Sequence, residues 1–236
     1  MARTTEIKKI VWLTDFDEKE HQGGAQQTNK IMIDNSPFKV EVVKNKDFGV
    51  EMIKDGVLFI INNIVFLSDY HIKQITEKAD YIRYCHDYEC VGKLKDTEFY
   101  KNSLMNIFLS PMHQNEYERQ IGYKIEKVEL QNSPVDTNRF SFKKGGRTKE
   151  LIWVGQLNEH KGINNVIEYA KMNPSAIINV IGFGNGDLIN KLKDYKNIYF
   201  NGEVKHKKIH ELYNKYDSFI HLPKWKEPFG RTILEA

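Results

Sequence analysis

The sequence predicts an α/β protein built from two doubly wound parallel sheets, and three observations predict it. Short apolar runs alternate with amphipathic stretches along the whole chain. Strand, helix, strand at this spacing is the signature of parallel sheets with crossover helices. The alternation is broken once, by the basic segment Phe140-Ser-Phe-Lys-Lys-Gly-Gly-Arg-Thr-Lys149, and then restarts. A Gly pair in a charged run marks a linker.

The first half carries strand-like runs at Lys9-Ile-Val-Trp-Leu13, Val40-Glu-Val-Val43, Val57-Leu-Phe-Ile-Ile61, Tyr81-Ile-Arg-Tyr84, Asn106-Ile-Phe-Leu109 and Ile125-Glu-Lys-Val-Glu-Leu130. Helices are expected between them near 24–35, 69–79, 95–104 and 113–121. In the second half, strands are expected at 151–154, 176–181, 197–200 and 218–222. Helices are expected at 162–172, 187–194 and 206–215, with a last one over 229–236. This divides the chain into a domain over 1–139, a linker over 140–150 and a domain over 151–236. Doubly wound sheets bind ligands at the carboxyl ends of their strands, so two facing sheets place a ligand in the cleft between them.

Composition narrows the class. At 236 residues the chain can bury a core without disulfide or metal staples. A net charge of +3 does not by itself argue for nucleic acid, and none is expected as a partner. Cys85 and Cys90 make no disulfide framework and fit a reducing compartment. The start, Met1-Ala-Arg-Thr-Thr-Glu6, is polar, and Val57–Ile61 is too short to span a bilayer. A cytoplasmic location is expected. The basic linker reads as solvated, with a phosphate or peripheral membrane patch as the other reading.

The most informative motif is Lys226-Glu-Pro-Phe-Gly-Arg-Thr-Ile-Leu-Glu-Ala236. It follows a buried strand and opens a helix, with Pro228 where a first-turn proline is tolerated. Gly230 lets backbone N–H groups approach a ligand, and a helix start offers unpaired donors to phosphate. Glu227 and Glu235 are two acceptor carboxylates beside that point, suited to sugar hydroxyls. Spacing alone leaves open a Pro-initiated helix with solvent-facing acids. In Trp153-Val-Gly-Gln-Leu-Asn-Glu-His-Lys-Gly162, a strand runs into a turn and a helix, placing Lys161 to neutralise a phosphate. An exposed lysine beside a turn is the plain alternative. Ile181-Gly-Phe-Gly-Asn-Gly-Asp187 resembles a dinucleotide fingerprint, but Asp187 holds its third glycine position. It reads as a close-approach loop against a nucleotide and disfavours a nicotinamide-dependent dehydrogenase.

In the first half, Gly23 and Gly24 join strand to helix and form either an anion nest or a flexible turn. His86, in Tyr84-Cys-His-Asp87, ends a strand and either points to the cleft or is a structural core histidine. Three features suggest metal but do not carry it. Asp15-Phe-Asp17 matches a D-x-D pattern in the wrong place. His206 and His210 lack a companion carboxylate and sit among lysines, on what reads as an exposed face. Cys85, His86 and Cys90 lack a second ligand pair.

Taken in order, these motifs resemble the retaining glycosyltransferases of GT-B fold, family-4 type, over nearly the whole chain, most densely in its second half. Asn132-Ser-Pro-Val-Asp136 followed by Phe140 is similar to the stretch that leads into that family's interdomain linker. The resemblance implies two Rossmann-like domains facing a cleft, with the second shortened. It implies transfer of a sugar from a nucleotide diphosphate sugar, with retention and without a metal or other cofactor, to a glycan, lipid-linked or protein acceptor. Glu227 then matches the carboxylate that meets the transferred sugar, and Glu235 the one that meets the ribose. Phe229 and Gly230 match positions whose amides meet the diphosphate, and Lys161 the lysine that holds it. Gly23 and Gly24 match the loop that closes over the donor, and His86 a histidine near sugar and acceptor. Gly182 and Val204 fall in loops that line the base.

Two departures stand out. The family's arginine after the turn glycine is Gln156 here, which implies weaker donor binding, because charged hydrogen bonds are the stronger ones. Family members also continue beyond the second glutamate. Thr232, Ile233 and Leu234 are therefore expected to lack packing partners, and self-association through the uncovered edge is expected. A nucleotide-sugar-binding protein with impaired catalysis is the alternative function.

Overall fold

The computed structural model describes residues 6–16, 20, 23–88, 91–94, 98–141 and 148–236. Asp17, His21, Gln22, Cys90 and most of the basic segment lie outside the described residues. The chain divides into two compact units, Met1–Pro134 and Val135–Ala236.

Unit 1 runs β1 (Lys9–Thr14), α1 (Gly24–Asp34), β2 (Val40–Lys44), β3 (Val57–Ile61), α2 (Asp69–Lys78), β4 (Asp80–Tyr84), α3 (Val91–Leu94), α4 (Phe99–Asn102), β5 (Met105–Phe108), α5 (Pro111–Ile121) and β6 (Val128–Leu130). Its six strands lie in the order β2-β1-β3-β4-β5-β6, and every neighbouring pair is parallel. Alternate residues of a strand face opposite sides of a sheet. Val11, Leu13, Phe59, Ile61, Tyr81 and Phe108 accordingly share one face, and pack with Ile72 and Ile75 of α2 and Tyr117 and Ile121 of α5. Ser68 and Ser110 cap α2 and α5 by accepting from the amides of His71 and His113.

Unit 2 runs β7 (Thr148–Leu157), α6 (Ile163–Met172), β8 (Ile178–Gly184), α7 (Gly186–Leu192), β9 (Ile198–Phe200), α8 (Ile209–Tyr213), β10 (Tyr216–Phe219) and α9 (Arg231–Glu235). The strand order is β10-β7-β8-β9, again all parallel. One layer of core holds Trp153, Ile163, Val166, Ile167, Ile178 and Val180; the other holds Ile152, Ile181, Ile209, Tyr213 and Tyr216. Among the described residues no helix is long and apolar enough to cross a membrane.

Four expected elements differ. The strand expected over 125–130 begins only at Val128, because Lys127 adopts a positive φ of 52°. Its ammonium there donates to the carbonyls of Lys101 and Ser103. The helix expected over 95–104 is described as the four residues of α4, with α3 unforeseen before it. The helix expected over 206–215 divides into a 3-10 turn, His206–Lys208, and five-residue α8. The last helix begins at Arg231, two residues later than expected, after Gly230 in the left-handed region.

Each sheet has one point where the strand order reverses: between β1 and β3 in unit 1, and between β7 and β10 in unit 2. There the loops leave towards opposite faces and open a crevice at the strands' carboxyl ends. In unit 1, Arg83 is fully buried beside this point, and its guanidinium donates to the carbonyls of Ile61 and Tyr84 at 2.9 Å each, and to that of Asn62. In unit 2, Gly162 caps α6 at φ 77°, and a Cβ there would lie 1.8 Å from the Leu222 carbonyl oxygen.

Two predictions follow from this packing. Gly162→Ala should destabilise unit 2 by at least about 2 kcal/mol, from left-handed strain and the Leu222 collision together. Gly122→Ala has a similar φ of 87° but meets nothing within 4 Å, and should cost only about 1 kcal/mol; denaturant unfolding of both variants checks this. Fully buried His113 accepts from the Leu109 amide and is ringed by Tyr88, Phe108 and Tyr117. Burial lowers its pKa from 6.5 to about 4; the charge of Arg83 adds to this and a hydrogen bond to the Asp87 backbone opposes it. Between those values the unfolded chain binds a proton that the folded chain refuses. Stability should therefore fall by about 3 kcal/mol from this group as pH drops through that window. Unfolding curves at pH 7 and pH 4 should show it, and His113→Gln should flatten it.

Candidate functional site

The reversal point of unit 2 gathers most of the residues singled out in the sequence. Beyond β7, the Asn158 side chain accepts from the Lys161 amide at 2.8 Å and closes the turn into α6. Beyond β10, the Lys224 amide donates to the His160 carbonyl at 3.0 Å, and Asn165 Nδ2 to the Leu222 carbonyl at 2.9 Å. These bonds join the two loops edge to edge. Across the junction Lys161 Nζ donates to both oxygens of Glu227, at 2.7 and 2.8 Å.

Trp225 completes this cluster. Its indole Nε1 donates to Glu227 Oε2 at 2.7 Å, and Lys161 Nζ lies 5.0 Å from the ring centroid, within cation–π range. The His160 ring stands 5.6 Å from the indole. His221 borders the pair: burial lowers its pKa, the Lys161 charge adds to that, and Glu227 opposes it. The side chains of Lys161 and Glu227 remain 32% and 17% exposed, so the pair is reachable from solvent and can exchange partners.

The second carboxylate has a different environment. The Glu235 side chain is only 3% exposed, which contradicts a solvent-facing acid at that position. Arg231, one turn earlier on α9, donates from Nε to Glu235 Oε1 at 2.7 Å. His206 Nε2 reaches the same oxygen at 3.1 Å, and Arg139 Nη2 meets His206 Nδ1 at 3.1 Å. Burial pushes the Glu235 carboxyl up, but hydrogen bonds from His206 and Arg231 and the charge of Arg231 outweigh it and hold it below the ordinary value. His206 is thus no exposed metal-type histidine among lysines. It turns inward because a carboxylate 29 residues away supplies its partner. Ile233 and Leu234, on the other side of α9, are 52% and 57% exposed.

The remaining positions fall around these two clusters. Gln156 is exposed near the end of β7, opposite Phe183 of β8, and Gly182 pairs with Gly155 in the same register. Val204, after β9, is partly buried against the core layer that holds Ile152, Ile181, Ile209, Tyr213 and Tyr216. Pro228 and Gly230 are buried and Phe229 is half-buried.

In unit 1, Gly23 caps α1 and Gly24 begins it. His86 is buried, and its Nε2 lies 3.2 Å from Asn29 Oδ1, which also accepts from Asn62 Nδ2 at 2.9 Å. The Tyr84 ring flanks His86 at 4.4 Å. Asp15 is occupied structurally: it accepts from the amides of Val65 and Phe66 at 2.9 and 3.0 Å and from Asn45 Nδ2 at 2.6 Å. These bonds explain Asp15 without a cation, while Asp17 lies outside the described residues. Cys85 is a buried core residue. Trp225, His221, Arg231 and Arg139 were not singled out from the sequence. The Arg231–Glu235 spacing of four on a helix was the one readable signal among them.

With this geometry in place, comparison with known proteins decides the fold. Residues 134–236 match the family described as Glycosyl transferases group 1. No curated protein sequence matches the chain. Among solved structures, Anabaena Alr3699/HepE in complex with UDP and glucose is similar at a TM-score of 0.70 and 16% identity, over 97% of this chain and 77% of that one. The chain carries the GT-B fold. AviGT4, a glycosyltransferase involved in avilamycin A biosynthesis, is similar at a TM-score of 0.65 and 12% identity, over 94% and 74% of the two chains. The pneumococcal O-GlcNAc transferase GtfA, solved with UDP and GlcNAc, gives a TM-score of 0.59 and 16% identity. The present chain has 76% of its length in that match but spans only 40% of GtfA.

Proposed function

We propose that this GT-B chain is a glycosyltransferase that moves a sugar from a nucleotide diphosphate sugar to an acceptor hydroxyl with retention of configuration. The observation that carries the reading is the Lys161–Glu227 pair, an exchangeable cation and carboxylate at the reversal point of a parallel sheet. The family match over residues 134–236, and the UDP and sugars held by HepE and GtfA, support it.

In this reading the bond from the anomeric carbon to the diphosphate breaks, an acceptor hydroxyl oxygen bonds to that carbon on the same face, and the hydroxyl's proton passes to the departing diphosphate oxygen. The developing charge lies on the leaving diphosphate. Lys161 shares its ammonium between Glu227 and that diphosphate, and the amides of Phe229 and Gly230 add donors; this is stabilisation aimed at charge that appears in the transition state. Glu227, partly relieved of Lys161, accepts from hydroxyls of the transferred sugar. Glu235 meets the ribose, Gly182 and Val204 line the base, and Gln156 stands beside the phosphates. Gly23, Gly24 and His86 serve the sugar and acceptor side. No metal is assigned a role, and the acceptor is a glycan, a lipid-linked sugar or a protein.

A thermal-shift screen of UDP-, GDP- and ADP-sugars tests this. The matching donor at a hundred times its Kd should stabilise the chain by about 2.7 kcal/mol, and Lys161→Met should remove most of that gain. No shift with any of the three would sink the proposal. Gln156→Arg should tighten donor binding by about 1 kcal/mol, roughly five-fold, because a charged donor replaces a neutral one. Unchanged affinity in that variant would mean that Gln156 is not at the phosphates.

A further inference from the structure

We propose that His206 is a positioning residue for the nucleotide's ribose, holding Glu235 so that one defined carboxylate oxygen is presented to the ribose diol. The inference rests on the nucleotide-sugar reading above and adds to it a residue that the sequence had placed on an exposed face.

The decisive feature is how the donors divide. Arg231 Nε and His206 Nε2 both converge on Glu235 Oε1, at 2.7 and 3.1 Å. Oε2 receives no hydrogen bond from any described residue, yet it is not among the sealed, unpartnered atoms of the interior. A carboxylate with two donors on one oxygen cannot turn about its Cγ–Cδ bond without breaking both bonds. Oε1 is therefore the anchored oxygen, and Oε2 keeps its lone pairs for outside donors. Two vicinal hydroxyls are the chemistry that suits one ionised acceptor oxygen. The lowered pKa of Glu235 keeps it an acceptor at neutral pH.

The chain also sets which imidazole nitrogen carries the proton. Arg139 Nη2 lies 3.1 Å from His206 Nδ1. A guanidinium has only donors, so Nδ1 must accept. The proton then resides on Nε2, and Nε2–H donates to Glu235. Arg139 is itself steadied by the Phe140 ring, 4.7 Å from its Cζ, and that ring lies 5.8 Å from the His206 ring. Arg139, His206 and Glu235 thus form a relay in which each member orients the next, ending at Oε2. Substituting His206 leaves Arg231 on Oε1 alone and frees the carboxylate to swing.

The test uses the full chain and titrates UDP, GDP and ADP, each against its 2′,3′-dideoxy form, by calorimetry. His206→Phe should weaken the preferred diphosphate about ten-fold and leave its dideoxy form unchanged, because that form has no hydroxyl to place. His206→Gln, whose amide can still donate to Glu235, should stay within about two-fold of wild type. Arg139→Leu should weaken the diphosphate in the same selective way but less, and it supplies the same readout if His206→Phe does not fold. Equal losses on both forms mean that His206 is merely structural, and no loss on either overturns the proposal outright. Glu235→Gln separates the two levels. If it does not weaken the diphosphate, the ribose reading of Glu235 falls and takes this inference with it. If it does, and the His206 and Arg139 variants do not, this inference falls alone.

Discussion

The candidate site in unit 2 depends on one constraint, that Lys161 reach Glu227, groups 66 residues apart in the chain that meet in a bidentate hydrogen bond. Sheet order makes it possible. Because β10 lies beside β7 and runs parallel to it, the loops leaving both strands emerge at the same end. Those loops then lie close enough for the Gly162 Cα to face the Leu222 carbonyl, where no side chain fits. The glycine, the Asn158 cap and the Lys224–His160 backbone bond are the conditions under which the lysine can reach the glutamate. A pair this accessible adds little to stability, since solvent competes for both charges. Its physical consequence is a neutralised cation beside a carboxylate, both available to a ligand that carries opposite charge and hydroxyl donors.

The second carboxylate shows how the same residue type is put to different use by burial. Glu227 shares its oxygens with Lys161 and Trp225 near solvent, whereas Glu235 is enclosed with Arg231, itself buried. Removing one partner from such a buried pair leaves an uncompensated charge, which costs far more than losing a surface pair. Glu235 is therefore fixed where Glu227 is exchangeable. In the proposed reaction that division is appropriate. The group beside the transferred sugar must accommodate charge that moves, while the group beside the ribose has only to hold its position through the cycle.

Secondary structure was largely readable because β-branched and aromatic runs alternate with amphipathic stretches along the chain; among the described residues, all ten strands lie where apolar runs predicted them, with shifted ends. The failures have local physical causes. Lys127 takes a left-handed conformation to send its ammonium to two carbonyls, and no propensity announces that. His206 was misjudged because three neighbouring lysines dominate its local pattern, while Arg139 and Glu235 lie 67 and 29 residues away. The structural role of Asp15 was not legible either, because the amides of Val65 and Phe66, which it serves, are some 50 residues downstream. The candidate carboxylates and Lys161 were visible by spacing. That one would be shared with a tryptophan and the other clamped on a single oxygen depends on side-chain geometry that spacing does not encode.

The geometry also narrows where anionic charge can be compensated. Gln156 is neutral, and Arg231 is already committed to Glu235. Lys161 is a formal cation placed at the Glu227 end of the crevice, held there by the carboxylate with which a diphosphate would have to compete. Donor affinity in the proposed reaction is then governed by how far Glu227 can release Lys161. The Trp225 indole, which donates to Oε2 independently of Lys161, would leave that oxygen partnered when the ammonium moves away. Trp225 therefore belongs to the charge balance of the site as much as Lys161 does, although it carries no charge itself.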